Sequence, residues 1–207
     1  MKDYEEGYYC MTTTEFYNTN ALQLIDRYEN ADMSLLHQVF LQYLPTGSKV
    51  LDIGFGSGRD LEFLKKNGYD IWGIDPSIKF VENVKKRFPD ISEHFIQSRI
   101  PFCTNRLSFP AKFNAIVSIA MWMHLQKAEY KDVIKSIAEI TTDKATVIIS
   151  FSTGKRAQDE RSFEDVDLAY MIELFHKYNF TLVNDSCHND SLNRETLKWI
   201  TVVFKHD

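Results

Sequence analysis

Apolar positions along the chain switch between two spacings, and the switches mark its elements. Leu35, Leu36, Val39, Phe40, Tyr43 and Leu44 recur at helical spacing and define one face of a helix. Asp32 is placed to cap its start, and Pro45 with Gly47 ends it. Lys49 to Ile53 is a short apolar run that stops at Gly54, a buried strand. Leu61, Phe63 and Leu64 predict the next helix, with Gly68 just past its end. Asp70 to Asp75 reads as a second strand, and Ile78 to Phe88 as a helix closed by Pro89. His94 to Gln97 and Phe113 to Ala120 are predicted strands three and four. Lys127 to Ile140 is amphipathic, with Val133, Ile134, Ile137 and Ile140 on one side. Ala145 to Phe151 is a fifth strand rich in β-branched residues. A polar stretch, Ser152 to Asp165, precedes a helix over Val166 to Tyr178. Strands beginning at Phe180 (to Val183) and at Trp199 (to Phe204) finish the chain.

Strands alternating with helices predict an α/β fold, a doubly wound, mostly parallel seven-stranded sheet with helices on both faces. The last two strands have no helix between them and are expected to form an antiparallel C-terminal hairpin at a sheet edge.

Composition narrows the class. Of 207 residues, 44% are hydrophobic and 26% charged, ordinary globular usage that excludes a disordered chain. The net charge of -5 argues against whole-domain binding to nucleic acid or to an anionic membrane. No apolar run reaches the roughly 18 residues of a membrane span, and the opening MKDYEEGYYC has no secretory pattern. Cys10, Cys103 and Cys187 are far apart, with no C-x-x-C, so neither a disulfide framework nor structural zinc is expected, and a cytoplasmic location fits.

Chemistry concentrates at Asp52-Ile53-Gly54-Phe55-Gly56-Ser57-Gly58-Arg59-Asp60, where the first strand opens into a helix. Glycines there let backbone turn sharply and approach a ligand without a Cβ in the way. The helix start supplies unpaired N–H groups that favour a negative ligand group. Asp75 ends the next strand, about twenty residues after Gly54, where an acid accepts both hydroxyls of a ribose. The spacing is G-x-G-x-G, neither the dinucleotide fingerprint nor a P-loop.

Leu51-Asp52-Ile53-Gly54-Phe55-Gly56-Ser57-Gly58-Arg59-Asp60 resembles the cofactor loop of class I S-adenosylmethionine-dependent methyltransferases. The resemblance extends over nearly the whole chain: Gly73-Ile74-Asp75-Pro76-Ser77 is similar to the family's second-strand acid segment, and Phe113 to Leu125 to its fourth strand and turn. Met121-Trp122-Met123-His124-Leu125 resembles a W-M-H-L stretch of small stand-alone bacterial members. The resemblance implies S-adenosyl-L-methionine as cofactor. It implies that Asp52, Gly54 and Gly56 line the methionine part, that Asp75 binds the ribose beside Pro76 and Ser77, and that Ser98 and Arg99 border the adenine. Ile119 and Ala120 would pass under the methionine, and Tyr28 would lie near its carboxylate. The chain departs from the family in having Ser98 where many members have an adenine-edge Asp, and Thr141-Thr142-Asp143-Lys144 where a Pro-Gly-Gly turn is usual.

On the acceptor side, His124 is a candidate base because imidazole titrates near neutrality; the alternative is a packed or solvent-facing histidine. Trp122 is a candidate pocket wall, or else core. Members of the resembling subset carry an Arg followed by an aromatic in this region, and Arg161-Ser162-Phe163 fits that pattern. Arg161 is a candidate for holding a carboxylate or phosphate of the acceptor, the alternative being a solvated loop arginine, and Arg194 is a weaker candidate. Tyr4, Tyr8, Tyr9, Phe16 and Tyr17 suggest an aromatic lid or a docked helix. The expected organisation is a single globular domain with an N-terminal helical lid, residues 1–45, and an S-adenosylmethionine-binding unit, residues 46–207. The expected function is methyl transfer to a small-molecule acceptor, with an RNA or protein methyltransferase, or a non-catalytic cofactor-binding module, as alternatives. Within the resembling family, the N/D-P-P-Y/F tetrapeptide typical of amino-group methylation of DNA bases or glutamine is absent after the fourth strand, which reads Ser118-Ile119-Ala120-Met121. The Pro-Cys nucleophile of cytosine C5 enzymes is absent too; neither absence excludes RNA or protein acceptors.

Overall fold

The computed structural model describes residues 11–101, 109, 111–154, 161–190, 194 and 196–207. Tyr4, Tyr8, Tyr9, Cys10 and Cys103 lie outside the described residues. The chain begins with α1 (Thr13–Glu29), whose first turn is closed by a reciprocal cap: Glu15 N–H donates to the Thr12 hydroxyl and Thr12 N–H to the Glu15 carboxylate. Next is α2 (Ser34–Tyr43). Asp32 sits one residue outside the cap position, which Met33 fills, yet its carboxylate still accepts the Ser34 N–H at 2.9 Å.

The sheet strands are β1 (Lys49–Ile53), β2 (Asp70–Asp75), β3 (Phe95–Gln97), β4 (Phe113–Ile119), β5 (Thr141–Gly154), β6 (Phe180–Asn189) and β7 (Leu197–His206). They are interleaved with α3 (Arg59–Lys66), α4 (Ile78–Arg87), α5 (Tyr130–Ile140) and α6 (Leu168–Lys177). The seven-stranded order is β3-β2-β1-β4-β5-β7-β6. β1 to β5 pair in parallel, and β7 lies antiparallel to both β5 and β6, so the predicted fold class and edge hairpin are observed.

Three strands run longer than their sequence pattern predicts. β5 begins at Thr141 and absorbs the expected turn as a register shift, with Lys144 at φ 65°. β6 continues past Val183 to Asn189, and β7 starts at Leu197, because each supplies ladder partners for the other regardless of apolar content. Ala120, expected to end β4, is instead a left-handed residue (φ 60°) that turns the chain off the sheet.

Core clusters lie on both faces. One packs Val133, Ile134, Ile137, Met171 and Phe175 of α5 and α6 against the sheet, and the other packs Phe40, Leu61, Leu64, Val81 and Val84 of α2, α3 and α4. Full burial of each such side chain stabilises by about 1.5–3 kcal/mol. The sheet order reverses at β1, whose neighbours β2 and β4 lead in opposite directions. In open α/β sheets this point, at the carboxyl ends of the strands, is where a crevice forms.

Candidate active site

A cavity of about 830 Å³ lies at that point, within the size range of small-ligand sites. Its first end is built by the loop leaving β1. Gly56 has φ 53°, a left-handed turn natural to glycine. That turn aims its N–H at Asp75 Oδ2, 2.9 Å away, while Ser77 N–H donates to Asp75 Oδ1 at 2.8 Å. The Asp75 carboxylate thus ties the glycine loop to the start of α4, and each oxygen keeps lone-pair capacity on a cavity-lining residue. Burial pushes its pKa up to about 6.

Two further acids stand beside it. Asp52, 2% exposed, lines the cavity and accepts no hydrogen bond from the described residues. Burial, with Asp60 and Asp75 nearby, raises its pKa well above the carboxylate range. Burial would raise Asp60 too, but the Arg59 guanidinium (2.9 Å) and His37 Nε2 (2.8 Å) outweigh it and hold that carboxyl at about 2. Arg59 also donates to the Tyr28 carbonyl at 2.9 Å. Tyr28 lines the cavity, its ring 3.9 Å from where a Cβ on Gly56 would stand.

The helix α1 roofs this end. Asn18 accepts a 2.7 Å hydrogen bond from the Ser77 hydroxyl, and Thr13 accepts the Ser162 N–H at 3.1 Å. Tyr17 joins the roof to the wall. Its hydroxyl is 2.9 Å from His124 Nε2 and accepts from Arg161 Nη1 at 3.3 Å. His124 Nδ1 lies 2.7 Å from the Ser162 carbonyl, which only accepts, so Nδ1 carries the proton and Nε2 accepts from Tyr17 in the neutral imidazole. Burial, then Tyr28, raises the Tyr17 hydroxyl far above its ordinary range, so it stays protonated. The Arg161 guanidinium is boxed by the rings of Phe16, Tyr17 and Phe163, at 5.2, 5.7 and 4.9 Å.

The second end of the cavity lies over β5, β7 and β6. Register places Ser150 opposite Thr201, and Ser152 opposite Trp199. All four line the cavity, with His188, Asp190 and Arg194. Asp190 is the anchor: its carboxylate, with only 1% of the side chain exposed, accepts Arg194 Nε and N–H on one oxygen, and Arg194 Nη2 and Trp199 Nε1 on the other. Burial opposes this charge, but those four donors together hold its pKa below the carboxylate range.

Of the residues singled out from sequence, Tyr28, Asp52, Gly54, Gly56, Asp75, Pro76, Ser98, Arg99, Ile119, Ala120, His124, Arg161 and Arg194 all meet the cavity. One expectation is corrected. Trp122 is fully buried, wedged between Tyr130 and Phe175, because the turn after β4 points it into the α5/α6 core. Ser77, expected beside Asp75, is fully buried there; its hydroxyl caps α4 and its N–H donates to the Asp75 carboxylate. Arg99 is exposed and its guanidinium is engaged by Glu129, which fixes it at the rim. Reading the sequence missed Ser150, Ser152, Thr201, Asp190 and Trp199 as wall residues. A signal existed for the strand positions: Ser150 and Ser152 interrupt the β-branched run of β5, and both are buried. Asp190 and Trp199 gave none. Among the described residues, no cluster of His, Cys, Asp and Glu could hold a metal ion, and no helix is long and apolar enough to cross a membrane.

Comparison with known proteins places this architecture. Residues 25–201 match the family described as methyltransferase domain. A Staphylococcus carnosus protein named only as an uncharacterized methyltransferase is 25% identical over 173 residues, covering 76% of this chain and 78% of that protein. The probable S-adenosyl-L-methionine-dependent methyltransferase TehB of Haemophilus influenzae is 28% identical over 141 residues, 65% of this chain but only 43% of that protein. Among solved structures, a TehB-like SAM-dependent methyltransferase from Corynebacterium glutamicum superimposes with a TM-score of 0.69 at 18% identity, covering 91% of this chain and 99% of that one. The 1,6-didemethyltoxoflavin-N1-methyltransferase of Burkholderia thailandensis, solved with S-adenosylhomocysteine, gives 0.71 at 14% identity, covering 93% and 86%. With a glycine loop after β1, an acid ending β2 and an antiparallel β7, and with a family match across most of its length, the chain belongs to the methyltransferase domain family and is a class I S-adenosylmethionine-dependent methyltransferase.

Proposed function

We propose that the first end of the cavity holds S-adenosylmethionine and the second a small-molecule methyl acceptor. The observation that carries this reading is the Asp75 carboxylate, which takes one backbone N–H on each oxygen and keeps room on each for a ribose hydroxyl. The other residues fit the same group. Asp52, a buried acid without a hydrogen-bond donor among the described residues, is held toward its neutral form by burial, and a cationic methionine portion beside it would favour its ionised form and pair with it. Gly56 leaves the ligand side of the loop bare of side chain. Tyr28, Pro76, Ser98 and Ile119 complete the wall for the methionine and adenosine parts, with Gly54 and Arg99 at the margins.

When bound, S-adenosylmethionine supplies an activated methyl group on a sulfonium. The chain's own task is to position a nucleophile, exclude water and receive a proton where the acceptor carries one. The roof helix α1 provides the exclusion, pinned at Asn18, Thr13 and Tyr17. His124 is the proton acceptor in this reading, reached through the Tyr17 hydroxyl, which donates to Nε2 and takes a proton from the cavity side in return. The Arg161 guanidinium on that hydroxyl favours any negative charge that develops there. The cavity volume and the roof favour a small acceptor over a polymer.

Calorimetry of the purified protein with S-adenosylmethionine and S-adenosylhomocysteine tests the reading. Saturable binding of both at one site is expected, and the absence of binding would overturn it.

A further inference from the structure

Resting on that reading, we propose that the second end of the cavity is a recognition site for a planar carboxylate: the acceptor carries its carboxylate to Arg194 and lays its ring on Trp199, both set in place by Asp190.

The argument starts from how Arg194 is engaged. A guanidinium has five N–H groups in a planar fork. Asp190 takes the inner edge, with Nε at 3.0 Å and Nη2 at 2.6 Å. The outer edge, formed by Nη1 and the second Nη2 hydrogen, is left on a cavity-lining side chain that is 38% exposed. Two parallel N–H groups on one edge match the two oxygens of a carboxylate. Trp199 is engaged in the complementary sense. Its Nε1–H is spent on Asp190 at 2.7 Å, so the cavity receives ring surface from it and no donor. The same buried carboxylate therefore orients a charged edge and an aromatic surface together. Asp190 does this at a cost in desolvation that a surface ion pair would not carry, offset by four N–H donors from Arg194 and Trp199. The Arg161 guanidinium adds a second positive charge to the wall of the same cavity. Ser150, Ser152 and Thr201 line it with small hydroxyls, and Thr201 donates to Ser150 Oγ at 3.0 Å. Asp190 is a positioning residue here, and Arg194 sets specificity.

The test uses anthranilate and its uncharged analogue anthranilamide as probes, titrated calorimetrically into the full chain saturated with S-adenosylhomocysteine. Wild type is expected to bind the acid at least about tenfold more tightly than the amide, as a bidentate charged pair implies. Arg194→Ala is expected to bring the two within about twofold while S-adenosylhomocysteine binds as in wild type. Arg194→Lys, which keeps the charge but loses the fork, is expected to fall between. Asp190→Asn is expected to shrink the acid-to-amide ratio, a readout that a purely structural staple would not move. Equal binding of acid and amide by wild type, binding of neither, or an unchanged ratio in Arg194→Ala overturns the proposal, provided S-adenosylhomocysteine binds. Failure of wild type to bind S-adenosylhomocysteine overturns the cofactor reading instead.

Discussion

Where the cavity meets β1 and β2, its wall is backbone turned by glycines, with three buried acids close behind: Asp52, Asp60 and Asp75. Where it meets β5, β7 and β6, its wall is side chains, with Ser150, Ser152, Thr201, Trp199 and Arg194 arranged around Asp190. The first end draws its ligand groups from two adjacent strand ends that any open α/β sheet brings together. The second draws them from β5 and from the hairpin of β6 and β7. In the proposed reading the donor meets the end built from backbone and the acceptor the end built from side chains, so that donor and acceptor recognition rest on different parts of the chain.

That division can be broken by experiment. The largest effect belongs to Trp122. Removing a fully buried indole should cost about 3–5 kcal/mol, so Trp122→Ala should lower the thermal midpoint sharply, while the folded fraction binds S-adenosylhomocysteine normally. Near-normal stability combined with lost acceptor binding would return Trp122 to the pocket wall. Asp75→Ala comes next. Cofactor affinity should fall by about 1.5–3 kcal/mol, since a charged acceptor is removed and the Gly56 and Ser77 N–H groups lose their partner. Unchanged calorimetric affinity would detach Asp75 from the ribose.

A pH titration separates the two ends more finely. Burial holds Asp75 at about 6, above its unfolded value of 3.8. Ribose hydroxyls donating to the carboxylate favour its ionised form, so cofactor affinity should fall as pH drops through about 6, approaching roughly tenfold per unit. The ligand-free protein should respond in the opposite sense. Its folded state binds this proton more tightly than the unfolded chain, so Asp75 destabilises when ionised, and that penalty is relieved as pH falls through about 6 toward 3.8. Asp75→Asn should flatten the binding profile, and a profile unaffected by that change would assign the titration to another group, such as Asp52. The smallest effect is at the roof. Tyr17→Phe removes the hydroxyl shared by His124 and Arg161 and should cost about 0.5–1.5 kcal/mol of stability, read as a shift of a few degrees in the thermal midpoint. Faster hydrogen exchange across α1 with little change in S-adenosylhomocysteine affinity would place Tyr17 with the acceptor side; equal exchange in both proteins would show that this hydroxyl does not hold the roof.

The contrast between the ends is also a contrast in legibility. The place of the glycine loop and Asp75 on the cavity could be read from residue order because it lies in local backbone geometry: a turn that suits glycine and a strand end beside it. The alternation of periods likewise determined the α/β class and the antiparallel edge, since burial on one face or two imposes its own spacing. Strand limits were less legible. β6 and β7 extend each other by backbone pairing, to which side-chain pattern contributes little. Only the tertiary structure decided that Trp122 faces the core while His124, two residues on, faces the cavity, because a single turn after β4 sends them to opposite sides. It also decided that Tyr17, His124 and Arg161 form one chain, across 107 and 144 residues of sequence, and that Asp190 reaches around the hairpin to hold Trp199. Such contacts depend on side-chain direction and on closure of distant segments, and neither leaves a period or a motif in the order of residues.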